Sequence, residues 1–121
     1  MVNAEAIEKG IAAHAAWKAR LRAAIKSGKF EVPVATVSKD NQCEFGKWLY
    51  GLSGNEAQTE HFSAVKRLHA RFHEEAAKVV TLATSGQTGK AEEAIGVQGD
   101  YTKVSAELTH ALVVWRNSLS W

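Results

Sequence analysis

The sequence predicts an all-α protein, an antiparallel four-helix bundle built from three long helices and one short one. Three observations carry this prediction. Alanine is abundant and proline occurs once in 121 residues, a composition that favours helix. Apolar residues recur at spacings of three and four over three long stretches, which places them on one face of a helix. No stretch of any length alternates apolar and polar residues with the period of a strand. With 45% hydrophobic and 23% charged residues, the chain has the balance of a globular protein, and its length suits a single domain over residues 1–121.

The first helix is expected over residues 4–27. Ile7, Ile11, His14, Leu21 and Ile25 form its apolar stripe, Asn3 is a suitable N-cap, and Gly28 a suitable stop. Lys18, Arg20, Arg22 and Lys26 fall in its second half, where cations suit the helix dipole. Residues 28–39 change character. Phe30, Val32, Val34 and Val37 favour extended backbone and Pro33 forbids helix continuation, so this segment reads as a connector with its apolar side chains tucked against the bundle. Asp40 then caps a short helix over roughly residues 41–50, with Cys43 in its first turn, where the helix dipole favours a thiolate.

The strongest pattern covers residues 56–84. Phe62, Val65, His69, Phe72, Ala76, Val79 and Ala83 keep the three-four alternation, with His73 at the border of the stripe. Asn55 with Gln58 three residues on resembles a capping box, and Ser85-Gly86 ends the helix. The last helix is expected over residues 88–118, with Ala94, Tyr101, Ser105, Leu108, Leu112, Trp115 and Leu119 marking its face. Gly96 and Gly99 each weaken it by about 1 kcal/mol relative to alanine, so a kink or a close helix contact is expected there.

The formal net charge is +2, and the fifteen basic residues are spread among acids, so no basic block argues for nucleic acid. No apolar run reaches the ~18–20 residues needed to span a bilayer, so no membrane insertion is expected. The start lacks the charged-then-apolar pattern of a secretory signal. One cysteine cannot build a disulfide framework, and it fits a reducing, cytoplasmic setting.

That lone cysteine sits in Cys43-Glu44-Phe45-Gly46-Lys47-Trp48-Leu49-Tyr50-Gly51, the least regular part of the chain. His69 and His73 are an i, i+4 pair whose rings stand on one helix face, close enough for both to reach one ion. His14 interrupts an apolar stripe where an aliphatic residue is expected. Each signal alone has a plain reading: a helix-edge pair, a core histidine bonded to a carbonyl, a buried thiol. Together they form a His, Cys, His-x-x-x-His set on three elements, the donor types zinc takes in a tetrahedral site. The glutamate of a zinc protease is missing, because Ala70 follows His69, and the acids that a di-iron bundle needs lie mainly on outward faces. Four protein ligands close the shell, which suits a structural or sensory site and argues against catalysis. His61 lies two turns before His69 and is the first substitute to consider for a ligand, while His110 is expected to face solvent. Asp40 is read as a cap first and as a hydrogen-bond partner of a ligand histidine second. Trp17 and Trp48 are read as core aromatics that shield the metal.

The carriers His14 with Trp17, then Cys43, Gly46, Trp48, Tyr50 and Gly51, then His69 and His73, run in the order found in one known family. The chain resembles the chemoreceptor zinc-binding (CZB) domain, and the Cys-x-x-Gly-x-Trp segment is the most specific part of the likeness. The resemblance implies a bacterial, cytoplasmic, all-helical regulatory module binding one Zn2+ per protomer through His14, Cys43, His69 and His73. It further implies a symmetric homodimer, and a chemoreceptor or diguanylate cyclase signalling module as partner in cis or in trans. Sensing of zinc, or of hypochlorous acid through the zinc-bound cysteine, comes with it. The readings to weigh against this one are a helical dimerisation module with a purely structural zinc and a metal-dependent hydrolase.

Overall fold

The computed structural model describes residues 3–119, and every element among them is helical. Six α-helices follow one another: α1 (Ala4–Ser27), α2 (Val34–Val37), α3 (Glu44–Tyr50), α4 (Glu60–Thr84), α5 (Thr88–Ala94) and α6 (Asp100–Ser118). The three long ones, α1, α4 and α6, pack against one another, and the short ones lie against them.

Helix α1 begins and ends as the sequence predicts. The Asn3 side chain accepts a hydrogen bond from the Ala6 amide at 2.7 Å, which satisfies one of the donors that a helix start leaves free. Gly28 adopts φ 73°, and its amide donates to the Ala24 carbonyl at 2.7 Å. That left-handed conformation is cheap only for glycine.

Four boundaries differ from the sequence prediction, each for an identifiable reason. The connector is not extended throughout. Pro33 precedes one helical turn, α2, because its fixed φ suits a helix start even though it forbids continuation. Val37, Phe30 and Val32 from this segment pack on the core as expected, while Val34 faces solvent.

The short helix starts later than expected, and Asp40 does not cap it. Cys43 is itself the N-cap: its backbone is extended and its Sγ accepts from the Gly46 amide at 3.3 Å. The Asp40 carboxylate is taken up by the Tyr50 hydroxyl, which lies 3.0 and 2.9 Å from its two oxygens.

Helix α4 likewise starts at Glu60 and not at residue 56. A 3-10 turn occupies Gly54–Gln58, and Thr59, not Asn55, caps the helix by accepting from the Phe62 amide at 3.1 Å. The predicted stripe of α4 is entirely buried.

The last predicted helix is two. Gly99 lies so close to the Ala94 carbonyl that a Cβ there would collide with it, so the chain turns sharply between α5 and α6. The expected break at the glycine pair is therefore a full interruption. Tyr101, Val104, Leu108, Leu112 and Trp115 form the buried face of α6, while Leu119 at its end is exposed.

The core runs without interruption from Ile7 to Trp115, and Phe72, fully buried on α4, stands near its centre. Truncating such a buried phenylalanine costs about 3–5 kcal/mol. No helix among the described residues is long and apolar enough to cross a membrane.

Candidate metal centre

Three elements deliver the four side chains that the sequence singles out. His14 comes from the middle of α1, Cys43 from the N-cap of α3, and His69 and His73 from successive turns of α4. One ligand-type atom from each lies within 4.8 Å of all the others. His14, His69 and His73 are 3%, 0% and 2% exposed, while Cys43 is partly exposed.

The hydrogen bonds around the rings fix which nitrogen faces inward. His14 Nδ1 lies 2.7 Å from the Gly10 carbonyl, one turn back on its own helix. A carbonyl only accepts, so Nδ1 carries the proton and Nε2 presents a lone pair. His73 Nδ1 lies 3.0 Å from the Val37 carbonyl at the end of α2, with the same consequence. The connector thus orients this imidazole on α4 by a backbone contact. His69 has no such support: its Nδ1 is buried without a hydrogen-bond partner among the described residues. This departs from the usual outer-shell contact of a metal-bound imidazole.

The spacing of the donors fits zinc. Bond lengths of about 2.0–2.1 Å to nitrogen and about 2.3 Å to sulfur in a tetrahedron imply N···N edges near about 3.3 Å and S···N edges near about 3.6 Å. His69 Nε2 and His73 Nε2 are 3.1 Å apart, and Cys43 Sγ lies 3.4 Å from the first and 3.5 Å from the second. Two nitrogens and a sulfur at tetrahedral edge lengths, with a third imidazole against them at 4.8 Å between ring centroids, describe a cage for one soft cation.

The electrostatics agree. Burial pulls the His14 pKa down from 6.5 to about 4, against the opposing pull of the Gly10 carbonyl. Burial, then the neighbouring His14 and His73, drives His69 far below the ordinary range. His73 is also lowered by burial, although the Val37 carbonyl and the Asp40 charge act the other way. All three rings are therefore neutral and ready to ligate at neutral pH. Cys43 runs against the expectation of a thiolate favoured by the helix dipole. Burial raises its pKa above the ordinary value, although the Gly46, Cys43 and Phe45 amides pull the other way. A helix of seven residues does not offset the desolvation, whereas a bound cation would.

The surroundings contain residues that the sequence reading did not single out. Phe45 and Phe72 stand edge-on to His14, at 5.5 and 4.9 Å between centroids, and Phe45 also meets His69 at 5.2 Å. They wall the cluster off from water. Trp17 takes a share of this at 6.0 Å from His73, but Trp48 does not, packing on Phe45 and Trp115 instead. Gly10 and Gly46 are needed for close approach. A Cβ on Gly10 would strike the Phe45 ring, and one on Gly46 would strike the Asp40 carbonyl. Gly46 appears in the sequence motif, but Gly10 carries no signal beyond interrupting a helical stripe.

His61 is half-buried and His110 exposed, and neither belongs to the cluster. Glu107 and His110 make the one Glu-x-x-His in the chain, on the exposed side of α6, so the di-iron pattern has no inward carboxylate there. Among the described residues, Asp40 makes no hydrogen bond to a ring of the cluster. It acts on His73 through charge alone.

The sequence profile of the chemoreceptor zinc-binding domain matches residues 14–80, a span that opens on His14 and includes Cys43, His69 and His73. No curated protein and no solved structure matches the chain.

Proposed function

The chain belongs to the chemoreceptor zinc-binding domain family, and from that premise we propose that it is a sensory or regulatory module whose one zinc per protomer is held by His14, Cys43, His69 and His73. The observation that carries this is the convergence of three buried imidazoles and the only thiol, from three helices, with His69, His73 and Cys43 at tetrahedral edge distances and all four donors within 4.8 Å of one another. Four protein donors leave no coordination position for a substrate water, which favours sensing over hydrolysis.

Zinc, when bound, supplies a strong tie between α1, α4 and the Cys43 segment. The three histidines sit on long helices that form the core, whereas Cys43 sits at the start of a seven-residue helix behind an irregular connector. The segment around Cys43 is thus the element that moves when the tie is lost. Two events release it: withdrawal of zinc, or oxidation of the thiolate. With hypochlorous acid the sulfur takes up the oxygen, chloride leaves, and the resulting sulfenic acid is a poor zinc ligand. The released segment passes the signal to a chemotaxis or cyclic-di-GMP signalling partner, a chemoreceptor or diguanylate cyclase, in cis or in trans, from a cytoplasmic homodimer.

Elemental analysis of the purified protein before and after dialysis against a strong chelator tests this reading. One zinc per chain is expected, together with faster hydrogen exchange over residues 38–50 once the metal is removed. If Cys43→Ala binds zinc as tightly as wild type and exchanges as slowly, the switch is wrong. If zinc is present but exchange is unchanged by its removal, the metal is only a staple for a helical dimerisation module.

A further inference from the structure

We propose that the cleft between α1 and α6 is a second ligand site, which takes a small oxyanion, a carboxylate or a phosphate group. It makes no use of the metal centre and stands or falls apart from it. The cleft has a volume of about 450 Å3, within the range of small-molecule sites. Lys18 of α1 lines it together with Tyr101, Thr102, Ser105, Thr109 and His110 of α6, and no carboxylate does.

Two hydroxyls on this lining are unsatisfied. Tyr101 is 1% exposed, and neither its hydroxyl nor Thr102 Oγ1 has a hydrogen-bond partner among the described residues. The position of Thr102 explains its case. Thr81 and Thr84, well inside α4, donate back to the Ala77 and Val80 carbonyls four residues earlier. Thr102 is the third residue of α6, so the residue four before it, Gln98, lies outside the helix. Tyr101 reaches inward to Phe72, at 5.3 Å between ring centroids, and burial raises its pKa. Ser105 stands near enough to pull the other way, yet makes no hydrogen bond with it. The phenol therefore keeps its proton and has it to donate. A buried hydroxyl without a partner is costly, and two on one cleft point to a ligand atom that completes them. Both oxygens are covered in the free chain, so a ligand reaches them as lining side chains shift, the flexible Lys18 stem first.

The charge of the ligand follows from Lys18. It is half-buried and makes no ion pair or hydrogen bond among the described residues. The acids of the neighbouring elements are turned elsewhere. Asp100 and Glu93 line a separate cleft against α4, with Glu75 and Lys78. Glu107 is two residues from both Ser105 and Thr109, which puts it roughly 160° around α6 from either. Glu8, the nearest acid along α1, is ten residues back, about 15 Å away. Glu31 is held by Arg20 at 2.9 Å, and Glu92 of α5 is exposed and off the lining. An unpaired ammonium beside uncharged hydroxyls, with no acid among them, is matched by an oxyanion.

Titration of the purified protein with inorganic phosphate and, separately, with acetate provides the test. Amide shifts in NMR spectra report binding, with sodium chloride at matched ionic strength as the control. Saturable shifts confined to the surroundings of Lys18 and residues 101–109 are expected, and the tighter of the two probes tells a phosphate site from a carboxylate site. Lys18→Gln, Tyr101→Phe and Thr102→Val should each weaken that binding at least about threefold. Tyr101→Phe and Thr102→Val should also raise the melting temperature of the unliganded protein, because each removes an unpaired hydroxyl and keeps the shape of the side chain. Shifts that chloride reproduces, shifts that do not saturate, or variants that bind as wild type does overturn the proposal. A melting temperature that does not rise in each of the two hydroxyl variants overturns it as well, since those hydroxyls are then already satisfied within the fold.

Discussion

Zinc binding should release about one proton per chain, and the number should hardly change between pH 7 and pH 6. The count follows from the metal-free cluster. His14, with its pKa lowered to about 4, is neutral across this range, and His69 and His73 are displaced in the same direction by burial. Cys43 is displaced upward, so it is a thiol that must lose its proton to bind. One proton therefore leaves, from sulfur, and the apparent affinity rises about tenfold per pH unit. Imidazoles exposed to water would behave differently. With a pKa near 6.5, each is roughly a quarter protonated at pH 7 and roughly three-quarters protonated at pH 6. The release would then be roughly 1.7 protons at pH 7 and roughly 3.3 at pH 6. Calorimetric titrations in pairs of buffers with different ionisation enthalpies measure the number directly. A release near three at pH 6 would refute the reasoning, because it would mean that the imidazoles are not held dry before the metal arrives. A release near zero would remove Cys43 from the ligand set.

Stability of the metal-free chain carries a related signature. The histidine pKa values are lower in the folded chain than in the unfolded one, so the unfolded chain gains protons first. Stability is then lost as pH falls below about 6.5, by up to about 3 kcal/mol for His14 as its folded value of about 4 is approached; urea unfolding across that range measures it. Gly46→Ala places a methyl group against the Asp40 carbonyl and should cost about 1–3 kcal/mol in thermal or urea unfolding, with weaker zinc binding in chelator competition because Cys43 shifts with the loop. Thr59→Ala should cost about 1 kcal/mol, while Asn55→Ala should be nearly neutral; the reverse order would put the start of α4 at the predicted capping box after all. Tyr50→Phe should leave zinc stoichiometry unchanged and speed hydrogen exchange over residues 38–43, since it removes the hydroxyl that holds Asp40.

What was legible in the sequence was periodicity and donor chemistry. The stripe of α4 is continuous, and its burial follows directly from the three-four spacing of Phe62 to Ala83. His14 was conspicuous because a polar ring replaced an aliphatic one, and the pair His69 and His73 because two rings share a face. What was hidden depends on contacts between segments distant in sequence. Asp40 looks like a cap because aspartate is a good one, but Tyr50, ten residues on, competes for the carboxylate, while the Cys43 sulfur stands nearer the free amides. Thr59 and Asn55 are both acceptable caps locally, and the choice is made by where the chain leaves the 3-10 turn. The Cys43 shift has the opposite sign to the one the helix start predicts for the same reason: the dipole of a short helix is a local property, whereas desolvation comes from packing against distant residues.

The arrangement of supports around the cluster explains why one candidate ligand differs from the other three. His14 is oriented by Gly10 of its own helix, and His69 and His73 share the rigid turns of α4. Cys43 is positioned by a chain of weaker constraints: the Gly46 amide, the close approach of Gly46 to the Asp40 carbonyl, and the Asp40–Tyr50 contact. The Gly46–Cys43 contact is part-buried and the Asp40–Tyr50 contact exposed, whereas the hydrogen bonds that orient His14 and His73 are buried. The His73–Val37 contact joins the two sets, because it ties a ligand on the rigid helix to the connector that leads into the Cys43 segment. Movement of that connector therefore costs a hydrogen bond at a ligand ring as well as the thiolate bond. Displacing α2 would free His73 Nδ1 and weaken both. A shortened α2, with Thr36 deleted, is accordingly expected to lower zinc affinity by about tenfold or more, in line with loss of an outer-shell contact, while circular dichroism of the long helices stays unchanged. If zinc affinity is unaffected, the connector is not part of the metal site, and the coupling between Cys43 and the rest of the bundle must run through α3 alone.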